Sequence, residues 1–153
     1  MNIVKIIQQE SKKYLKHVAI REAISSFTYE QLFENVKDIS QKLENEEIKK
    51  HARVALLCPE GADYIILVLS ILSLDAVAVP IHLNSSKEEI KRVIDEMKIE
   101  YFIYEETLFH SNGKNESFSI SYKKHSFVIQ HLNGKLAEQN EFESLNPAFI
   151  RFS

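Results

Sequence analysis

The sequence predicts an α/β fold, a largely parallel sheet flanked by helices, and three observations carry that prediction. In the stretch 53–83, RVALLCPEGADYIILVLSILSLDAVAVPIHL, two short aliphatic runs, RVALLC and DAVAVP, enclose an apolar segment long enough only for a helix. After the opening Arg53 and Asp75 both runs are continuously apolar instead of alternating, the pattern of strands buried on both faces. A second helical segment then leads to Tyr101–Tyr104 (YFIY), a third strand, so that a βαβαβ unit spans residues 53–104. Parallel neighbours need a crossover of about a dozen residues, and each pair here is separated by one.

In chain order, residues 2–15 place Ile3, Ile6, Ile7 and Tyr14 on one side at helical spacing, which predicts an amphipathic surface helix. His17–Arg21 and Ile24–Phe27 are short extended pieces around a turn, too close together for a crossover, and predict a small hairpin. Thr28-Tyr29-Glu30-Gln31 fits a capping box, with Phe27 and Leu32 placed as a hydrophobic staple across it. Tyr29, Leu32, Phe33, Val36, Ile39 and Leu43 then follow a 3.6-residue period, giving a helix of about four turns that docks by one face.

Pro59 is expected in the first turn of the next helix, where its missing N–H is harmless, and Tyr64–Leu74 is apolar nearly all round. Ser85 and Ser86, with Glu88 and Glu89 three residues on, signal another helix start, buried through Ile90, Val93, Ile94 and Met97. Beyond Glu105 the chain turns polar; SFSISY alternates as a half-exposed strand and SFVIQ reads as a further one. Asn133-Gly134 marks a turn, the stretch to Asn146 reads as loop, and Pro147–Ser153 (PAFIRFS) looks like the start of a new buried strand.

Composition narrows the function classes. The chain has 153 residues, 44% of them apolar, enough for one core and one domain. Its net charge is −3 and its lysines lie scattered in doublets, so nucleic acid is not an expected partner. Cys58 is the only cysteine, which excludes an internal disulfide and a multi-thiolate zinc site and fits a cytoplasmic location. The apolar run Tyr64–Val79 is interrupted by Asp75 and falls short of the roughly 20 residues of a membrane span.

Three patterns in order resemble the N-terminal part of the adenylate-forming (AMP-binding) superfamily of acyl-CoA synthetases, luciferases and peptide-synthetase adenylation domains. Phe27-Thr28-Tyr29-Glu30-Gln31-Leu32 resembles an early Thr-Tyr-x-x-Leu motif. LSLDAVAVPI, residues 72–81, resembles Leu-Lys-Ala-Gly-Ala-x-x-x-Pro-Leu, and AFIRFS, residues 148–153, resembles the strand entering the phosphate loop Thr-Ser-Gly-Thr-Thr-Gly. Ser73-Leu74-Asp75 departs from the Lys-Ala-Gly of the second motif, so Asp75 is expected to tolerate the left-handed region that a glycine would take.

The resemblance implies that the whole chain, residues 1–153, is one N-terminal subdomain of an ATP-dependent ligase. Such a ligase activates a carboxylic acid as an acyl-adenylate with ATP and Mg²⁺ and passes the acyl group to CoA or a carrier-protein thiol. The phosphate loop, adenine site, acyl pocket and catalytic lysine are implied to lie beyond Ser153. The chain is therefore expected to hold no catalytic residue, no metal ligand and no adenylation activity of its own. Ser153, at the first hydroxyl position of the loop, is the one residue the resemblance assigns to a cofactor contact. The remainder of the ligase is the implied partner, with self-association through exposed apolar surface in its absence.

Taken by themselves, the other chemistry-bearing residues read as structural. Cys58 is expected as a small buried hydrophobe, Asp63 in the first turn of a helix, and Asp75 in a helix-to-strand turn. The six histidines lack ligand spacing and are expected at the solvated surface. A free-standing α/β interaction module is the competing reading. Its receiver and dinucleotide-binding forms lack support, because Cys58-Pro59 stands where acidic residues or Gly-x-Gly-x-x-Gly would.

Overall fold

The structure, a computed structural model, describes residues 2–111, 115–120, 125–132 and 147–150. Its elements in order are α1 (Ile3–Ser11), β1 (Val18–Arg21), β2 (Ser26–Thr28), α2 (Tyr29–Asn45), β3 (Arg53–Leu57), α3 (Ala62–Ser73), β4 (Val77–Pro80), α4 (Lys87–Glu96), β5 (Tyr101–Glu105), β6 (Glu116–Ser119) and β7 (Ser126–His131). β1 and β2 form the expected hairpin, and the other five strands form one sheet in the order β4-β3-β5-β7-β6.

β3 is central to the βαβαβ unit and pairs in parallel with β4 on one side and β5 on the other. β7 then adds antiparallel to β5, and β6 antiparallel to β7, so the parallel half of the sheet carries an antiparallel extension. SFSISY forms a strand only over its first part, and residues 121–124 lie outside the described residues. So does the turn expected at Asn133-Gly134.

Alternate residues of the parallel strands feed two cores. Val54, Leu56, Ala76, Ala78 and Ile103 face α2 and α3, meeting Phe33, Val36, Ile39, Ile66 and Ile71. Ala55, Leu57, Val77, Val79, Phe102 and Tyr104 face the other way, toward Ile90 and Val93 of α4. The connection from β3 to β4 steps one way along the sheet and that from β4 to β5 steps back across β3. With right-handed crossovers, that reversal puts α3 and α4 on opposite faces.

Local signals account for the boundaries. Thr28 Oγ1 accepts from Gln31 N at 3.2 Å while Gln31 Oε1 accepts from Thr28 N at 2.9 Å, closing the expected capping box of α2, and Phe27 and Leu32 are both buried. Of the two serines before α4, Ser86 makes the box, with Glu89. Pro59 does not open α3. The helix begins three residues later, after Gly61 at φ 139°, a backbone angle that a Cβ would obstruct.

α1 also differs from expectation. Val4 and Ser11 are its buried residues, while Ile3, Ile6, Ile7 and Tyr14 are exposed, Ile3 by 54%. The rotation is set at Asn2, whose side chain caps α1 and also holds the end of α3, turning Val4 inward. Four other turns take the left-handed region without glycine: Glu47, His51, Asp75 and Lys98, at φ 52–67°. Asp75, at φ 55°, does so as the sequence requires.

Thr28→Ala should cost about 1 kcal/mol in urea unfolding, as loss of an N-cap does. Lys98→Gly should raise stability by about 0.5 kcal/mol, because glycine removes a left-handed penalty larger than the entropy it adds. Equal midpoints for Lys98→Gly and the parent would contradict that account of the turn.

Candidate functional site

Open α/β sheets bind ligands at the carboxyl ends of their parallel strands, beside a reversal in strand order. Here that place lies where β3 and β4 end, since their following helices leave on opposite faces. Segment 147–150 runs beside β4. Ala78 N donates to Ala148 O at 2.9 Å and Ile150 N to Ala78 O at 3.1 Å, a parallel bridge between Ala78 and Phe149. Segment 147–150 thus runs in the same direction as β4. Ser153 itself lies outside the described residues. The expected buried strand is reduced, among those residues, to this one bridge; Ile150 packs against the α4-side core, but Phe149 is 48% exposed.

Acidic groups and one thiol furnish the edge itself. The β1–β2 turn brings Glu22 over the start of α3, where its Oε1 accepts from Ala62 N at 2.9 Å and its Oε2 from Ser25 Oγ at 3.0 Å. A carboxylate at a helix N-terminus is held by the aligned peptide dipoles. Asp63 lies in the first turn of α3, as expected, and is buried. Glu105, also buried, accepts from Thr107 N at 3.1 Å and from the Thr107 hydroxyl.

Cys58 is buried, its Sγ 3.3 Å from the Pro59 carbonyl oxygen. Burial first, then the charges of Asp63 and Glu105, push its thiol up from 9.0 to about 12. Burial likewise raises the Tyr64 phenol, with Cys58 and Glu60 adding to it. A thiol so protected stays protonated at neutral pH and is no nucleophile, which agrees with the structural reading of Cys58.

Among the described residues this edge presents carboxylates. The N-terminus of α3, the geometry that would welcome a phosphate, is filled by Glu22 from within the chain, with Asp63 and Glu105 adding negative charge nearby. Among the described residues no group of three or more His, Cys, Asp or Glu can hold a metal ion. None of the histidines is buried, but His131 is more than a solvated side chain: it meets Glu46 at 2.8 Å and lies edge-on to Tyr101, whose hydroxyl donates to the Glu47 carbonyl. The contacts of Glu22 with α3 and of Asn2 with the end of α3 had no signal in the sequence, since each reaches across 40 or more residues, whereas an Asn before a helical run is a local N-cap signal.

The family model described as AMP-binding enzyme matches residues 7–148. The chain belongs to that family. Among curated relatives, the polyketide synthase-nonribosomal peptide synthetase ffsA of Aspergillus flavipes is 24% identical over 135 residues, which is 84% of this chain and 3% of that protein. The N-terminal subdomain of Klebsiella oxytoca NpsA superposes with a TM-score of 0.67 at 23% identity, covering 74% of this chain and 29% of that one. The Mycobacterium tuberculosis fatty acyl CoA synthetase gives 0.62 at 26% identity, covering 65% and 20%. The chain therefore spans less than a third of these proteins, and its fold is that of the N-terminal subdomain of adenylate-forming ligases. No helix among the described residues is long and apolar enough to cross a membrane.

Iodoacetamide at pH 8 should leave Cys58 unmodified in the native protein and alkylate it on unfolding in urea; equal rates in both would contradict the burial. Because the folded state disfavours the thiolate, it holds more protons than the unfolded chain above pH 9. The contribution of Cys58 is therefore complete below pH 9 and is lost as pH rises toward 12. Cys58→Ala should flatten that alkaline loss in thermal melts.

Proposed function

We propose that residues 1–153 are the N-terminal subdomain of a larger ATP-dependent ligase that activates a small carboxylic acid as its acyl-adenylate and transfers the acyl group to CoA or a carrier-protein thiol. The observation that carries this reading is the parallel seating of 147–150 beside Ala78, which points that segment toward the carboxyl edge of the sheet within an AMP-binding fold. That is the direction a strand feeding a phosphate loop must take. By its place in the sequence Ser153 is the residue this reading assigns to the opening of that loop, and the cytoplasm, where a lone cysteine stays reduced, is the fitting compartment.

On this reading the subdomain supplies scaffold, and ATP, Mg²⁺ and the thiol acceptor are bound by the rest of the ligase. Adenylation needs backbone donors and cations around developing phosphate charge. The described edge offers carboxylates instead, Glu22, Asp63 and Glu105. A small acid as substrate is supported by the NpsA subdomain, solved in complex with anthranilyl-AMSN.

Pyrophosphate–ATP exchange by the 153-residue chain, with Mg²⁺ and a panel of aliphatic, aromatic and amino acids, should stay at background. Exchange above background would overturn the division of labour. The codons following Ser153 should encode a Ser-Gly-Thr-Thr-Gly-like run, and a stop codon there would overturn the larger ligase.

A further inference from the structure

We infer that Asn2 and Asp75 form a clasp at the amino edge of the sheet that positions segment 147–150, making the N-terminal helix a positioning element for the strand that leads to Ser153. Asn2 uses both ends of its amide. Its Oδ1 accepts from Val4 N at 2.9 Å, capping α1, and its Nδ2 donates to Leu72 O at 2.7 Å, Asp75 Oδ1 at 2.7 Å and, more weakly, Ser73 O at 3.3 Å. The cap fixes which end is oxygen, and the other end meets acceptors only.

Asp75 completes the joint. It is left-handed at φ 55°, its amide donates to Leu72 O at 3.0 Å, and its carbonyl accepts from His51 N at 2.9 Å, tying the end of α3 to the approach to β3. A glycine would adopt this turn without strain but would offer Asn2 no carboxylate. The residue that departs from the family pattern is therefore the one that engages α1.

The clasp reaches segment 147–150 by two routes. Pro147 and Ala148 line a cavity of about 200 Å³ together with Asn2, Ile3, Leu72 and Asp75, so the segment borders the clasp. Ala76 and Val77 then carry the turn directly into Ala78, whose N–H and carbonyl hold Ala148 and Ile150. Loosening Asn2 frees α1 and shifts the turn at Asp75, and the pairing at Ala78 is three residues further on. What the segment is positioned for rests on the ligase reading above; the clasp itself rests on these contacts.

Native-state amide exchange by NMR on the 153-residue chain tests it without any assay of ligase activity, so failure of the clasp and failure of the ligase reading are told apart. Asn2→Ser keeps an N-cap acceptor for α1 but removes the Nδ2 donors. It should raise exchange at the Ile150 and Ala78 amides by roughly tenfold, the scale of one net hydrogen bond. The Ile103 and Ile129 amides of the β5–β7 ladder should stay within about twofold of the parent. Asp75→Asn, which keeps both an acceptor oxygen and tolerance of the left-handed region, should restore protection to near the parent value where Asp75→Gly does not. Unchanged exchange at Ile150 in Asn2→Ser would overturn the proposal, and so would an equal rise at all four amides, which would mark general destabilisation.

Discussion

Everything in this structure depends on the burial of β3 on both faces. Val54 to Leu57 have essentially no exposure, and their side chains alternate between the α2–α3 layer and the α4 layer. Val54, Leu56 and Leu57 each contribute about 1.5–3 kcal/mol by leaving water. The larger consequence is geometric: a strand buried on both faces must be hydrogen-bonded on both edges as well, because its peptide groups have no access to water. β4 and β5 meet that demand, and with them come the crossovers that place a helix on each face.

The two ends of the parallel strands have different tasks. At the amino end the chain enters through turns closed by side chains and left-handed residues, and Asn2, Asp75 and Arg53 spend their polar atoms on other elements of the fold; Arg53 Nη1 donates to the Met97 carbonyl at 2.8 Å. At the carboxyl end, Glu22 accepts from the first turn of α3, and Cys58, just after β3, is buried. The chain thus satisfies internally the helix N-terminus that other α/β proteins leave for a phosphate. Among the described residues, this end of the sheet is thus closed by the chain's own side chains.

Scarcity of glycine gives the turns their character. With three glycines in the chain, the single described one, Gly61, stands at the φ that other residues avoid most, while Glu47, His51, Asp75 and Lys98 bear the left-handed turns. At Asp75 the strain comes with a polar side chain that bonds elsewhere. At Lys98, fully on the surface, no bond of the side chain accompanies it among the contacts described.

By itself the sequence determined the α/β class, the βαβαβ unit, both capping boxes and the local places of Asp63 in a first helical turn and Asp75 in a helix-to-strand turn, because each rests on neighbours within a few residues: periodicity, a Ser or Thr three residues before Glu or Gln, an unbroken apolar run. Tertiary structure decided what depends on distant partners. The rotation of α1 follows from Asn2 reaching Leu72 and Asp75, not from the spacing of Ile3, Ile6 and Ile7. The start of α3 follows from the Gly61 turn under Glu22 instead of from Pro59. The antiparallel addition of β7 and β6 and the seating of 147–150 on Ala78 join segments far apart in the chain. No local pattern encodes which strand edge a later segment will find, since every exposed edge offers the same peptide groups.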